Sequence, residues 1–226
     1  MAKKDNKTSF NTDKYDAGVR QTIPYYDTIH EEIHSFIESM PLPPSSWLDT
    51  GCGTGTFVKL ALNRFPETHF FLADPSRSML DLAKEKLPDN RVTFLGYYGT
   101  AELPPKAGPF EVITAIQCHH YLDRKGRKTA IGVCYSLLKS GGILILSENI
   151  RPFTSLGQEI GLRYWGKYQE KAGKKPKDVK EHLDRFDREY FPITIEEHLS
   201  LYRSIGFSAV EVLWCSYLQA IFYAIK

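Results

Sequence analysis

Apolar and polar positions alternate along this chain in two periods, and the changes between them mark out the elements. Trp47 and Leu48 lead an apolar run into Asp49; Gly51, Gly53 and Gly55 then fall at every second position, and Phe57, Val58, Leu60, Ala61 and Leu62 recur at helical spacing. That predicts a strand, a glycine turn and a helix. The runs His69 to Ala73, Arg91 to Gly96, Phe110 to Ile116 and Ile143 to Glu148 predict further strands. Met79, Leu80, Leu82, Ala83 and Leu87, after Pro75-Ser76, predict a second helix, and Lys125 to Leu138 another, closed by Ser140-Gly141-Gly142 as a C-cap. Strand and helix alternate through five strands, which predicts a parallel α/β sheet. Thr194 to Ile205 reads as a last helix, with Thr194 and Glu197 spaced as a capping box and Gly206 ending it. Val210 to Trp214 and Leu218 to Ile225 lie so close together that they must form an antiparallel hairpin at the sheet edge.

The segments outside this alternation are of three kinds. Residues 1–14 are polar and charged, the composition of a flexible tail. Residues 15–44 hold Ile29, Ile33, Phe36, Ile37 and Met40 at helical spacing behind Pro24, with Tyr15, Arg20, Gln21, Tyr25 and Tyr26 ahead of them and Pro41, Pro43 and Pro44 stopping the helix. Residues 151–190 form a charged helical insertion after the fifth strand, with Leu156, Ile160, Leu162, Tyr164, Trp165 and Tyr168 giving it an apolar side. Between Arg163 and Glu189 it carries nine Lys or Arg and six Asp or Glu, a modest excess that could touch an anionic substrate or RNA, although a solvated helix with its apolar face on the domain, or a dimer contact, is the commoner outcome.

A chain of 226 residues with 42% apolar content suits a single α/β domain over 1–226, and a net charge of +2 sets up no global field. RNA is therefore possible as a partner but gains no support from charge. The four cysteines, Cys52, Cys118, Cys134 and Cys215, show neither a C-x-x-C pair nor zinc spacing, so no metal is expected and a reducing cytoplasm is the simpler setting. Lys3 and Lys4 are not followed by an apolar run of the signal-peptide kind, and no apolar run approaches the ~20 residues of a membrane helix, so neither element is expected. A soluble cytoplasmic protein, monomer or homodimer, is expected.

The glycine turn invites a ligand, because it frees the main chain to approach one and opens a helix whose N–H groups and dipole face it. A dinucleotide turn would place its third glycine at position 56, where Thr56 stands, and Asp49 at the mouth would repel a pyrophosphate. A cationic ligand suits the same carboxylate. The second strand also ends in an acid, Asp74, placed to accept from a ribose diol.

These residues resemble the first motif of the class I S-adenosylmethionine-dependent methyltransferases, an acid followed by G-x-G-x-G, with a second strand ending in an acid. Asp49, Gly51, Gly53, Gly55 and Asp74 match it, and the Leu-Lys-x-Gly-Gly segment before the fifth strand is similar as well. The resemblance implies a Rossmann-like, seven-stranded, mostly parallel sheet with an antiparallel terminal strand, helices on both faces and S-adenosylmethionine as cofactor. The residues expected around it are Tyr25, Asp49, Thr50, Gly51, Cys52, Gly53, Gly55, Asp74, Pro75, Met79, Thr100, Ala101 and Gln117. It also implies that 15–44 folds over the cofactor as a lid and that 151–190 serves substrate recognition or dimerisation. The family usually carries an acid for the adenine amino group after the third strand. Here Tyr98-Gly99-Thr100-Ala101-Glu102-Leu103-Pro104 has none at that position, which leaves main-chain groups, Thr100 or Glu102.

Gln117-Cys118-His119-His120-Tyr121 follows the fourth strand, at the edge where an open parallel sheet holds its ligand. His119 or His120, with Tyr26, is therefore expected on the acceptor side. Either histidine could take a proton from a nucleophile, or serve structure alone. Ile23-Pro24-Tyr25-Tyr26, Leu146-Ser147-Glu148 and the ending around Gly206-Phe207 and Leu218-Gln219-Ala220 are similar to the carboxy-S-adenosylmethionine synthases, which make a carboxymethyl form of the cofactor. The arginine that grips the carboxylate in that family falls here on Leu183, with Arg185 two places away, and the glycine motif differs. Methyl transfer to a small molecule is the leading expectation; a cofactor-modifying enzyme and a non-catalytic cofactor-binding protein are the alternatives, with a dinucleotide oxidoreductase behind them.

Overall fold

The computed structural model describes Asp5 and residues 15–88 and 90–226; the rest of the tail expected over 1–14 lies outside the described residues. Helices α1 (Tyr15–Thr22) and α2 (Tyr26–Glu38) precede β1 (Ser46–Thr50), α3 (Thr56–Arg64), β2 (His69–Ala73), α4 (Arg77–Lys86), β3 (Val92–Gly96) and β4 (Phe110–Ile116). Then come α5 (Arg124–Leu137), β5 (Leu138–Asn149), α6 (Ser155–Lys171), α7 (Pro176–Leu183), α8 (Ile195–Ile205), β6 (Ala209–Ser216) and β7 (Gln219–Ile225). The seven strands lie in the order β3-β2-β1-β4-β5-β7-β6, and β7 runs antiparallel to both neighbours. The order reverses between β1 and β4, the point at which open α/β sheets form a ligand crevice.

Period-two alternation sorts the strands' side chains onto two cores. Trp47, Phe70, Ile143 and Ile145 face one side, where Phe57 and Phe65 surround the indole and Ile29, Ile33 and Ile37 dock α2. Leu48, Ile113, Leu144 and Leu146 face the other, under α5 and α8, with Ile131 and Tyr202. The three isoleucines of α2 are fully buried, worth roughly 5–9 kcal/mol before chain entropy is set against them. That makes α2 a fixed cover on the sheet.

Three local predictions come out differently. Ahead of Pro24 the chain forms a further helix, α1, and Tyr25 takes a left-handed conformation (φ 58°) to turn into α2. Asp123 caps α5 through Gly126 N–H at 2.7 Å, so the helix starts at Arg124, one residue before the predicted start. Ser140-Gly141-Gly142 does not separate α5 from the strand: Gly141 and Gly142 exchange main-chain hydrogen bonds with Lys226 at 2.9 and 3.0 Å, so pairing with the chain's end draws them into β5. The Thr194–Glu197 capping box forms as expected.

The insertion packs on α1. The buried Trp165 donates its indole N–H to the Thr22 carbonyl at 2.7 Å, and Tyr168 donates its hydroxyl to the Arg20 carbonyl at 2.8 Å. Its predicted apolar side splits, with Leu156, Ile160 and Tyr164 left exposed. Among the described residues, no helix is long and apolar enough to cross a membrane.

Candidate functional site

At the carboxyl end of β1 the turn takes positive φ at Gly51 (69°), Gly53 (55°) and Gly55 (74°). Gly51 and Cys52 donate their N–H groups to the Ala73 carbonyl at 2.8 and 3.1 Å, tying the turn to the end of β2. The three glycines are not equivalent. A Cβ on Gly51 would meet Cys118 Sγ at 2.7 Å and one on Gly55 would meet Leu87 Cδ1 at 2.7 Å, so these two serve close packing, of β4's exit and of α4. A Cβ on Gly53 would meet only the Met79 methyl, at 3.8 Å, beside an open cavity.

That cavity holds about 200 Å³ and is walled by Gly51, Gly53, Asp74, Pro75, Ser76, Met79, Gly99, Thr100, Ile116, Gln117, Cys118, His119 and Leu122, with Asp5, Tyr15 and Tyr121 completing it. Asp74 accepts from Gly53 N–H through one oxygen and from Ser76 N–H through the other, both at 2.8 Å. Each oxygen keeps a lone pair beyond its backbone bond, and burial raises the carboxyl's pKa. Asp49 is held from beneath: Trp47 donates its indole N–H to Thr114 Oγ1 at 2.9 Å, and Thr114 donates its hydroxyl to Asp49 at 2.7 Å. Burial pushes Asp49 up to about 7, against the lowering effect of the Thr114 bond.

Two smaller hollows share walls with the main cavity. One, of about 30 Å³, lies between the glycine turn and α2 and is lined by Tyr26, His30, Asp49, Cys52, Thr54 and Thr56. The other, of about 40 Å³, lies toward the insertion and is lined by His120, Tyr121, Asn149, His182, Arg185 and Tyr190. Tyr15 and Gln117 border all three. Asp16, next to Tyr15, accepts from Thr54 and Thr56 at 2.7 and 3.0 Å and pairs with Lys86, which pins α1 to the turn.

The adjacent histidines part company. His119 faces the main cavity with its Nε2 2.9 Å from Thr100 Oγ1, and Thr100 meets Thr50 Oγ1 at 2.9 Å. Burial lowers its pKa to about 4, so its ring is neutral at pH 7. His120 faces the hollow beside the insertion, its Nδ1 3.3 Å from the fully buried Glu148. Burial alone would raise Glu148, but His120, then His119 and His198, hold its carboxyl below the ordinary value.

Among the residues expected around a cofactor, Gly51, Gly53, Asp74, Pro75, Met79, Thr100 and Gln117 come together on the main cavity, and Asp49 and Cys52 on the turn-side hollow. Thr50 is buried behind them, and Gly55 and Ala101 do not line the cavities. Tyr25 is turned outward onto Trp214 and Tyr217 and half exposed. Tyr26 is buried beside His30 and Asp49, and burial raises its phenol well above the usual range, which leaves it a proton donor. Glu102 is occupied in accepting from Gly99 N–H at 3.0 Å. Sequence reasoning did not single out His30, Asn149, His182 or Tyr190, none of which falls in a motif, and it read Ser76 only as a helix cap, which it also is.

Sequence and structure comparisons point in the same direction. The methyltransferase-domain family matches residues 48–144. The carboxy-S-adenosyl-L-methionine synthase of Trichodesmium erythraeum is 26% identical over 88% of this chain and 79% of its own length. Human N-acetylserotonin methyltransferase, solved with S-adenosylmethionine, superposes with a TM-score of 0.61 at 14% identity over 98% of this chain. The plantazolicin methyltransferase, solved with S-adenosylhomocysteine, gives 0.71 at 15% identity over 95% of this chain and 90% of its own. The chain spans about six-tenths of the human enzyme and of the first O-methyltransferase structures it matches. Residues 48–144 are thus similar to the methyltransferase-domain family, and the chain shares the fold of these S-adenosylmethionine-dependent methyltransferases.

Proposed function

We propose that the protein transfers a methyl group from S-adenosylmethionine to a small-molecule nucleophile. The observation that carries this reading is the pair of strand-end acids, Asp49 and Asp74, on either side of a glycine turn that opens at Gly53 into the main cavity. The fit is physical: the turn leaves room at Gly53, and the acids complement a sulfonium nucleoside with an α-ammonium group. Asp74 would hold the ribose hydroxyls, Asp49 and the turn the amino-acid end, and the wall formed by Met79, Thr100, His119 and Leu122 the adenine. When bound, S-adenosylmethionine supplies a methyl on a sulfonium leaving group.

The chain's own task is then alignment, which can supply ~7–11 kcal/mol of barrier when acceptor and donor are held in line. The hollow lined by His120, Asn149, Arg185 and Tyr190 is where this reading seats the acceptor. His120, backed by Glu148, is the group that would take the acceptor's proton, a step typically worth ~10²- to 10⁴-fold. His119, neutral and turned toward Thr100, is a wall of the cofactor cavity in this reading.

Differential scanning fluorimetry with S-adenosylmethionine, S-adenosylhomocysteine and NADH tests the assignment. The two adenosyl ligands are expected to raise Tm and NADH is not, since stabilisation follows RT ln(1 + [L]/Kd). Asp74→Ala should weaken S-adenosylhomocysteine more than tenfold in calorimetry; unchanged affinity refutes the ribose assignment. A second reading, formation of the carboxylated cofactor, has one observation in its favour, the similarity to carboxy-S-adenosyl-L-methionine synthases over most of both chains. Mass spectrometry of the nucleoside that copurifies distinguishes the two.

A further inference from the structure

His30 is the least expected polar group around these cavities. It lies in α2, only 1% exposed, with its ring 4.4 Å from Tyr26 and 5.2 Å from Phe57. Among the described residues, neither ring nitrogen has a hydrogen-bond partner. A buried donor and acceptor left unmade are costly, and native interiors seldom leave both nitrogens of one imidazole orphaned. The ring also lines the turn-side hollow, whose walls bring together Asp49, Gly51, Gly53, Thr54 and Thr56. About 30 Å³ is space for two water-sized groups, the dimensions of a carboxylate's two oxygens. The hollow shares Gly51 and Gly53 with the main cavity, so a nucleoside there would have α2 on the side of its amino-acid end.

We propose that His30 is a cofactor-binding residue, its ring N–H donating to the α-carboxylate of the bound S-adenosylmethionine while Asp49 faces the α-ammonium. The proposal rests on the cofactor reading given above and adds to it a contact from outside the glycine motif. Charge supports the division of labour. Burial lowers His30 to about 4, so at neutral pH the ring is uncharged and offers one N–H and one lone pair. An uncharged donor suits a zwitterion whose ammonium is already matched by Asp49. The remaining charged groups nearby are committed: Asp16 to Lys86 and the two threonines, and Asp27 to Arg20.

The test compares two ligands on the full chain, S-adenosylhomocysteine and 5′-methylthioadenosine, which lacks the amino-acid end. His30→Phe keeps the aromatic packing and removes both nitrogens. It should bind S-adenosylhomocysteine at least tenfold more weakly, bind 5′-methylthioadenosine within twofold of wild type, and melt in the ligand-free state at the same or a higher temperature. His30→Gln, which retains an N–H donor, should recover most of the lost affinity, and it remains informative if the Phe variant folds poorly. Unchanged affinity for S-adenosylhomocysteine in His30→Phe, or an equal loss for both ligands, overturns the assignment and leaves His30 a packing residue. Wild-type protein that binds neither nucleoside overturns the cofactor reading and this contact together.

Discussion

Lowering the pH from 7.0 to 5.5 should weaken S-adenosylmethionine binding by about fifteenfold through Asp49 alone. The ligand's ammonium favours the ionised carboxylate, while in the free protein burial holds that group at about 7. With that value the ionised fraction falls from roughly one half at pH 7.0 to roughly 3% at pH 5.5, and affinity follows it. Asp74 is also raised by burial and titrates in the same sense, whereas His30, near 4, stays uncharged throughout. Asp49→Asn separates the contributions, because whatever slope it retains belongs to Asp74. Calorimetry at half-unit steps, in two buffers of different ionisation enthalpy, measures both the affinity and the protons released. A flat wild-type profile, or the same slope in Asp49→Asn, refutes the argument. Stability should move the opposite way. A carboxyl whose folded value (about 7) exceeds its ordinary one (3.8) costs nothing below 3.8 and progressively more as pH rises to 7, up to about 4 kcal/mol. The ligand-free Asn variant should therefore melt above wild type at pH 7.5.

Gly55→Ala should cost about 1–3 kcal/mol in urea unfolding, since it forces a Cβ against Leu87 and Ala83 at φ 74°, yet leave cofactor affinity of the folded protein within twofold. Equal stability would refute the packing role. Trp165→Phe removes the indole bond to the Thr22 carbonyl and should cost about 1–3 kcal/mol, with faster hydrogen exchange in α1 and α6. Unaltered exchange in α1 would show that the insertion does not hold it.

The sheet was legible because burial on both faces leaves a plain record. Trp47 and Leu48, or Ile143 through Leu146, must serve two cores, and turn residues bracket each run. The acids and glycines were legible as a motif for the same reason that they are close in space: one turn carries most of them. What the linear order could not convey was direction. A motif weights Gly53 and Gly55 alike, although one faces the cavity and the other a neighbouring helix. His119 and His120 sit on a single turn of 3₁₀ helix, where successive side chains diverge by about 120°, so neighbours in sequence face different hollows. Tyr25 and Tyr26 divide in the same way because a left-handed residue opens α2. His30 falls in no motif; only packing shows that, among the described residues, its nitrogens have been left without partners.

Helix α1 is fastened at two ends to different parts of the molecule. Asp16 ties it to the glycine turn and the start of α3, while Trp165 and Tyr168 grip its final carbonyls from α6. Tyr15, at its first position, borders the main cavity and both side chambers. The insertion and the glycine turn thus share one strut, and both help to fix where Tyr15 stands.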